Sequence, residues 1–151
     1  TFALVSFSIF SYADLRYRLV PGIEVFLFGT ILLTFPATPI QTGIVLLACL
    51  WSIFRNLSGW FAIPLLFYPP VWPVLFTGYG YRKSIIGRAD LLAISGLACL
   101  FPLPAVLLSL LGLELWRRLW IRRQQGNIPA LPGLLLGLMV YLLLRLFLPT
   151  P

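Results

Sequence analysis

Histidine is absent from this chain, and acids are scarce: Asp14, Glu24, Asp90 and Glu114 are its only carboxylate side chains. The absence of imidazole removes the commonest general base and the commonest metal ligand. The two cysteines, Cys49 and Cys99, lie inside apolar runs, with no CxxC and no paired spacing. Neither a zinc site nor a disulfide framework is implied, and both are expected to be buried free thiols. No metal and no other cofactor is expected. Charge is also short, at 10% of residues, where about a quarter is usual. That is too little to clothe a soluble domain of this size, and the chain can be stable if most of its exterior faces lipid. The basic residues fall in short loops without interleaved stacking aromatics, so a nucleic-acid partner is not expected.

What is there is apolar: 60% of the 151 residues are hydrophobic, and the net charge of +7 comes mostly from arginines between apolar runs. Basic loops between apolar runs are the pattern of the positive-inside rule and of attraction to anionic lipid. The expected fold is an all-α polytopic membrane protein of about six transmembrane helices, forming one domain over residues 1–151. The first apolar run, 2–12, would rise only about 17 Å, against a hydrocarbon core of about 30 Å. The first helix is therefore expected to be truncated and the N-terminus incomplete.

Further spans are expected at 23–35, 40–54, 84–101, 103–116 and 128–148. Pro64, Pro69, Pro70 and Pro73 break the run 60–78, since proline lacks an N–H and clashes with the preceding turn. This segment either re-enters the membrane, folding back near Pro69-Pro70, or lends part of itself to the third span. The loops bearing Arg16/Arg18, Arg82 to Arg88 and Arg117 to Arg123 are assigned to the cytoplasmic face. The uncharged turns at 36–39 and 102–104 are assigned to the far face. Arg145 is expected to snorkel to the interface. Trp60, Trp72, Trp116 and Trp120 are read as interface anchors.

The aspartates carry the chemistry. An ionisable group within a membrane segment costs several kcal/mol, which makes it a functional candidate. The simpler alternatives are pairing of Asp14 with Arg16 or Arg18, and of Asp90 with Arg88. Two carboxyls brought together share a proton, because like charges at close range cannot both ionise easily. One then takes a proton from water while the other donates to a carbonyl oxygen or leaving amine, without metal, nucleophile or histidine. Glu24 sits at a helix start, where an acid complements the helix dipole; binding of a basic substrate segment is the alternative. Glu114 is expected to pair with Arg117 or Arg118 at helical spacing.

The stretch Ile86-Gly87-Arg88-Ala89-Asp90-Leu91-Leu92-Ala93, continuing to Leu100-Phe101-Pro102, resembles the GxGD-type motif of type IV prepilin peptidases. Its Gly-x-Ala-Asp form is most like the archaeal preflagellin peptidase branch. The stretch from Ser11 through Asp14 to Val20-Pro21-Gly22 is similar to that family's first catalytic segment. Ile128-Pro129-Ala130-Leu131-Pro132-Gly133 resembles the start of its last helix.

The resemblance implies an intramembrane aspartic endopeptidase with Asp14 and Asp90 as its catalytic dyad. Gly87 would keep the backbone thin for approach of substrate, and Arg88, Ala89 and Glu24 would support or bind it. The implied partner is a prepilin- or preflagellin-like precursor, whose basic leader precedes an apolar helix. It would be cleaved at the cytoplasmic face of a prokaryotic cytoplasmic membrane. Ala89 replaces the second glycine of the bacterial motif, and Gly22 stands where asparagine is common. Nothing matches the bacterial cysteine-rich insert, so N-methyltransferase activity is not expected. The competing reading is a non-catalytic relative, or an assembly or transport component, using Asp14 and Asp90 for proton or cation handling.

Overall fold

Prolines punctuate the chain where a missing N–H does least harm. Pro39, Pro73 and Pro132 each sit in the first turn of a helix, where the amide would have no intrahelical acceptor anyway. In the computed structural model, residues 2–17, 20, 22–122 and 128–148 are described. Among them are eight α-helices and no strand. They are α1 (Phe2–Tyr17), α2 (Ile23–Thr34), α3 (Pro39–Ile53), α4 (Ala62–Leu65), α5 (Trp72–Arg82), α6 (Arg88–Leu100), α7 (Leu103–Ile121) and α8 (Leu131–Phe147). Short 3₁₀ turns occupy Gly59–Phe61 and Pro69–Val71. The all-α expectation is met.

Helix ends depart from the sequence reading for local reasons. α1 continues past Tyr12 to Tyr17, so Asp14 lies within its last turns. α6 starts at Arg88, not Ser84, because Ser84 has φ 59 and Gly87 is extended. α7 runs on to Ile121. Glu114 grips Arg117 at 2.7 Å and Arg118 at 2.9 Å, bracing that extra turn.

The expectation of helices that each cross a membrane needs correcting at the level of the single helix. Among the described residues no helix is long and apolar enough to cross one. Only α7 exceeds 17 residues, and it carries Glu114, Arg117 and Arg118. The 17 residues of α8 rise about 26 Å.

The chain divides into two compact units, Gly22–Leu103 and Thr1–Pro21 with Pro104–Pro151. In the first, α6 is central, with residues 91–99 all buried and α2, α3 and α5 packed on it. The Phe26 ring lies where a Cβ on Gly96 would come within 2.5 Å, so α2 reaches α6 only because residue 96 is glycine. Gln41 Nε2 donates to the Ala98 carbonyl at 2.8 Å, tying the start of α3 to the end of α6. Thr42 Oγ1 donates to Thr34 Oγ1 at 3.1 Å across the α2–α3 turn. At the opposite end of α3, Ser52 Oγ presses against Gly78 of α5, and Arg55 Nη2 donates to Ser84 Oγ at 3.2 Å. Helices α3 and α5 therefore run parallel.

Parallel neighbours require the chain between them to travel back. The Pro-rich segment does so in short pieces along α3. Its departure and return are fastened together by Arg82, which donates to the carbonyls of Arg55, at 2.8 Å, and of Leu57. The Arg82 guanidinium also lies 4.5 Å from the centre of the Trp51 ring, a favourable cation–π placement. One end of this unit thus gathers Glu24, Arg55, Arg82, Lys83, Arg88 and Asp90, which are all of its charged residues. The other end, at residues 35–41 and 98–103, has none.

In the second unit, α1 packs on α8, and α8 lies antiparallel to α7 along a stripe of glycines. A Cβ on Gly133 would come within 2.7 Å of the Leu113 Cα, and one on Gly112 within 2.5 Å of the Gly133 carbonyl oxygen. One on Gly137 would collide with the Leu108 carbonyl. The Gly133-x-x-x-Gly137 spacing lets two backbones touch, as in helix pairs packed without a hydrophobic driving force. Gly137→Leu is expected to destabilise this unit by about 1–3 kcal/mol or more. Gly43→Ala, in open space on α3, is expected to gain about 0.5–1 kcal/mol. Melting midpoints of the two purified variants should move in opposite directions.

Candidate active site

Asp14 sits on α1, half-buried, and its Oδ2 accepts the Leu131 backbone N–H at 3.2 Å. Leu131 is the first residue of α8, and the preceding Ala130 offers no side-chain cap. The carboxylate therefore caps a helix 117 residues away, against the positive end of its dipole. This contact was missed in sequence reasoning. Its signal was there: Ala130-Leu131-Pro132 opens a helix without Ser, Thr, Asp or Asn, so the free amides need an acceptor from elsewhere. Arg16, a proposed partner of Asp14, donates to the Tyr12 hydroxyl at 2.6 Å and lies over the Tyr12 and Tyr17 rings. Arg18 and Arg123, expected in the basic loops, lie outside the described residues.

Asp90 is the third residue of α6 and is half-buried. The acid thus stands in the first turn, where free amides and the helix dipole favour an anion. Arg88, two residues earlier, reaches across to Glu24 of α2 at 3.4 Å. Both side chains are more than half exposed, so the pair contributes little, about 0–1 kcal/mol. Glu24, Gly87, Arg88, Ala89 and Asp90 are thereby brought together at the charged end of the Gly22–Leu103 unit. Asp14 belongs to the other unit.

Glycine is not demanded at position 87 by the fold. Its φ of −76° and ψ of 160° suit any residue, and an added Cβ would meet Asp90 Oδ2 at 3.4 Å, an ordinary contact. Gly22 is different. It caps α2 at φ 81, a region that glycine and asparagine tolerate and most residues avoid. Gly22 therefore supplies a backbone geometry that most other residues would adopt only with strain. Among the described residues no group of three or more His, Cys, Asp or Glu assembles to hold a metal.

Comparison with protein-family models, curated proteins and solved structures returns no match for this chain.

Asp14→Ala is expected to cost about 1 kcal/mol through loss of the α8 cap. Asp14→Asn, which keeps an acceptor oxygen, should retain most of that stability. Chemical denaturation of the two variants checks this. Gly87→Ala should melt with wild type, within about 0.5 kcal/mol.

Proposed function

We propose that this chain is an intramembrane aspartic endopeptidase that removes leader peptides from prepilin- or preflagellin-like precursors. Asp14 and Asp90 act as the dyad: one carboxylate accepts a proton from water while the other carboxyl donates to the scissile carbonyl oxygen. The chemistry is peptide hydrolysis, without methyl transfer. No metal or organic cofactor enters these steps.

One observation supports both the setting and the chemistry. All charged residues of the Gly22–Leu103 unit collect at one end, with Asp90 among them. In the other unit, the antiparallel pairing of α7 and α8 and the Asp14–Leu131 bond put Asp14, Arg16, Glu114, Arg117 and Arg118 at a common end, while Arg145 stands in the last turn of α8, at the far end. Charge gathered at the ends of the helices, with Arg145 able to snorkel from the last turn of α8, suits a protein whose remaining surface faces hydrocarbon. The apolar side chains there agree: Val25, Phe28, Phe76 and Leu146 are 73%, 63%, 72% and 75% exposed. At about 26 Å, α8 is a few Å short of the hydrocarbon thickness, whereas α2 and α6, at about 18–20 Å, are roughly 10 Å short; such mismatch is met by local thinning, at fractions of a kcal/mol per Å. The positive-inside rule assigns such basic ends to the cytoplasmic face. An apolar precursor helix would then lie in lipid, with its leader at the aqueous edge beside the acids.

The test is cleavage of a candidate precursor by membranes containing the protein. Asp14→Asn and Asp90→Asn are each expected to lower turnover by roughly 10³-fold or more, while remaining folded by their melting profiles. Full activity in either variant would remove that residue from the dyad. Gly87→Ala, whose added Cβ meets only an ordinary contact, should raise KM if substrate backbone passes close to α6 at this point.

A further inference from the structure

Residues 57–82 leave and return to one place. Arg82 donates to the Leu57 carbonyl, Arg55 to Ser84, and Trp51 Nε1 to the Ser58 carbonyl at 3.1 Å. Between Arg55 and Arg82 there is no charged residue. The exposed side chains of the stretch are large and apolar: Trp60 is 79% exposed, Phe61 62% and Phe67 86%. From its far turn, α5 returns over 11 residues, a rise of about 16 Å. That is half of a hydrocarbon core of about 30 Å.

The backbone donors of the turn are also satisfied within the chain. Leu66, Phe67, Tyr68, Val71 and Trp72 each donate their backbone N–H to a carbonyl within the segment. Positions 69 and 70 are prolines and have no N–H to satisfy. Every backbone donor from 66 to 72 is thus accounted for. Trp72 Nε1 additionally donates to the Leu66 carbonyl at 2.8 Å, closing the loop with its ring outward. Irregular backbone survives at membrane depth only when its polar groups are satisfied in this way.

From this we infer that residues 59–82 form a half-depth membrane hairpin. It enters and leaves on the charged face of its unit, and Trp60, Phe61 and Phe67 contact lipid acyl chains. Arg55, Arg82 and Lys83 form a cationic collar at the surface, with Ser84 held in its left-handed conformation, φ 59, beside Arg55. The Pro69-Pro70 turn lies near the bilayer middle. The inference rests on the membrane setting proposed above and adds the depth and direction of this segment.

Single cysteines at Asn56, Lys83, Thr38 and Phe67, all exposed positions, test it in sealed vesicles of both orientations. Cys49→Ala and Cys99→Ala provide the background. If that background fails to fold, the wild-type protein with its two buried thiols serves as the labelling baseline. The reagent is a membrane-impermeant maleimide. Asn56→Cys and Lys83→Cys are expected to label from one face only, Thr38→Cys from the opposite face only, and Phe67→Cys from neither. A nitroxide at position 67 should be broadened by oxygen and not by an aqueous nickel chelate. If Thr38→Cys and Asn56→Cys label from opposite faces but Phe67→Cys labels from either, or its nitroxide meets the chelate, the hairpin is wrong and the membrane setting stands. Labelling of Thr38→Cys and Asn56→Cys from the same face overturns both.

Discussion

An ionised side chain cannot be left in an apolar medium without a cost of several kcal/mol, and a chain with so few charges still has to put each one somewhere. In the membrane setting proposed above, that constraint would account for the helix directions of the Gly22–Leu103 unit. Parallel α3 and α5 leave Arg55 and Arg82 at one end, and the parallel course of α2 and α6 brings Glu24 and Arg88 to the same end. An up-and-down arrangement with a fully crossing α5 would have sent Arg82 and Lys83 to the uncharged end. The broken Pro-rich return along α3 avoids that outcome.

Asp90 and Asp14 are treated differently by the fold. Asp90 shares its helix turn with Gly87 and Arg88, so its neighbours are set by local sequence. Asp14 is positioned by a bond to Leu131, far along the chain. A search for a carboxylate near complementary charge would have found Arg16 or Arg18 first. The acceptor role toward a bare helix start is visible only when the missing cap at Ala130 is noticed.

The helix content, the break at residues 60–78 and the two segments holding the acids were legible because prolines, glycines and apolar runs act locally. Helix ends were less so. Ser84 is a polar residue in a left-handed turn, and its φ is supported by Arg55 from 29 positions away. The glycine stripe at 112, 133 and 137 went unread because each glycine looks like a weak helix former when considered alone. Its meaning comes from the facing backbone of the partner helix. Likewise the Glu24–Arg88 pair joins two helices that sequence spacing does not relate.

The bond from Leu131 to Asp14 makes the start of α8 sensitive to a single proton. A carboxylate is a strong, charge-assisted acceptor, whereas its protonated form is neutral and weaker. Whenever Asp14 takes up a proton, the first turn of α8 loses part of its anchorage, and it regains it on release. The glycine stripe just beyond, at 133 and 137, keeps the body of that helix seated on α7 meanwhile. Amide exchange in the first turn of α8 would then serve as a built-in indicator of the protonation state of α1.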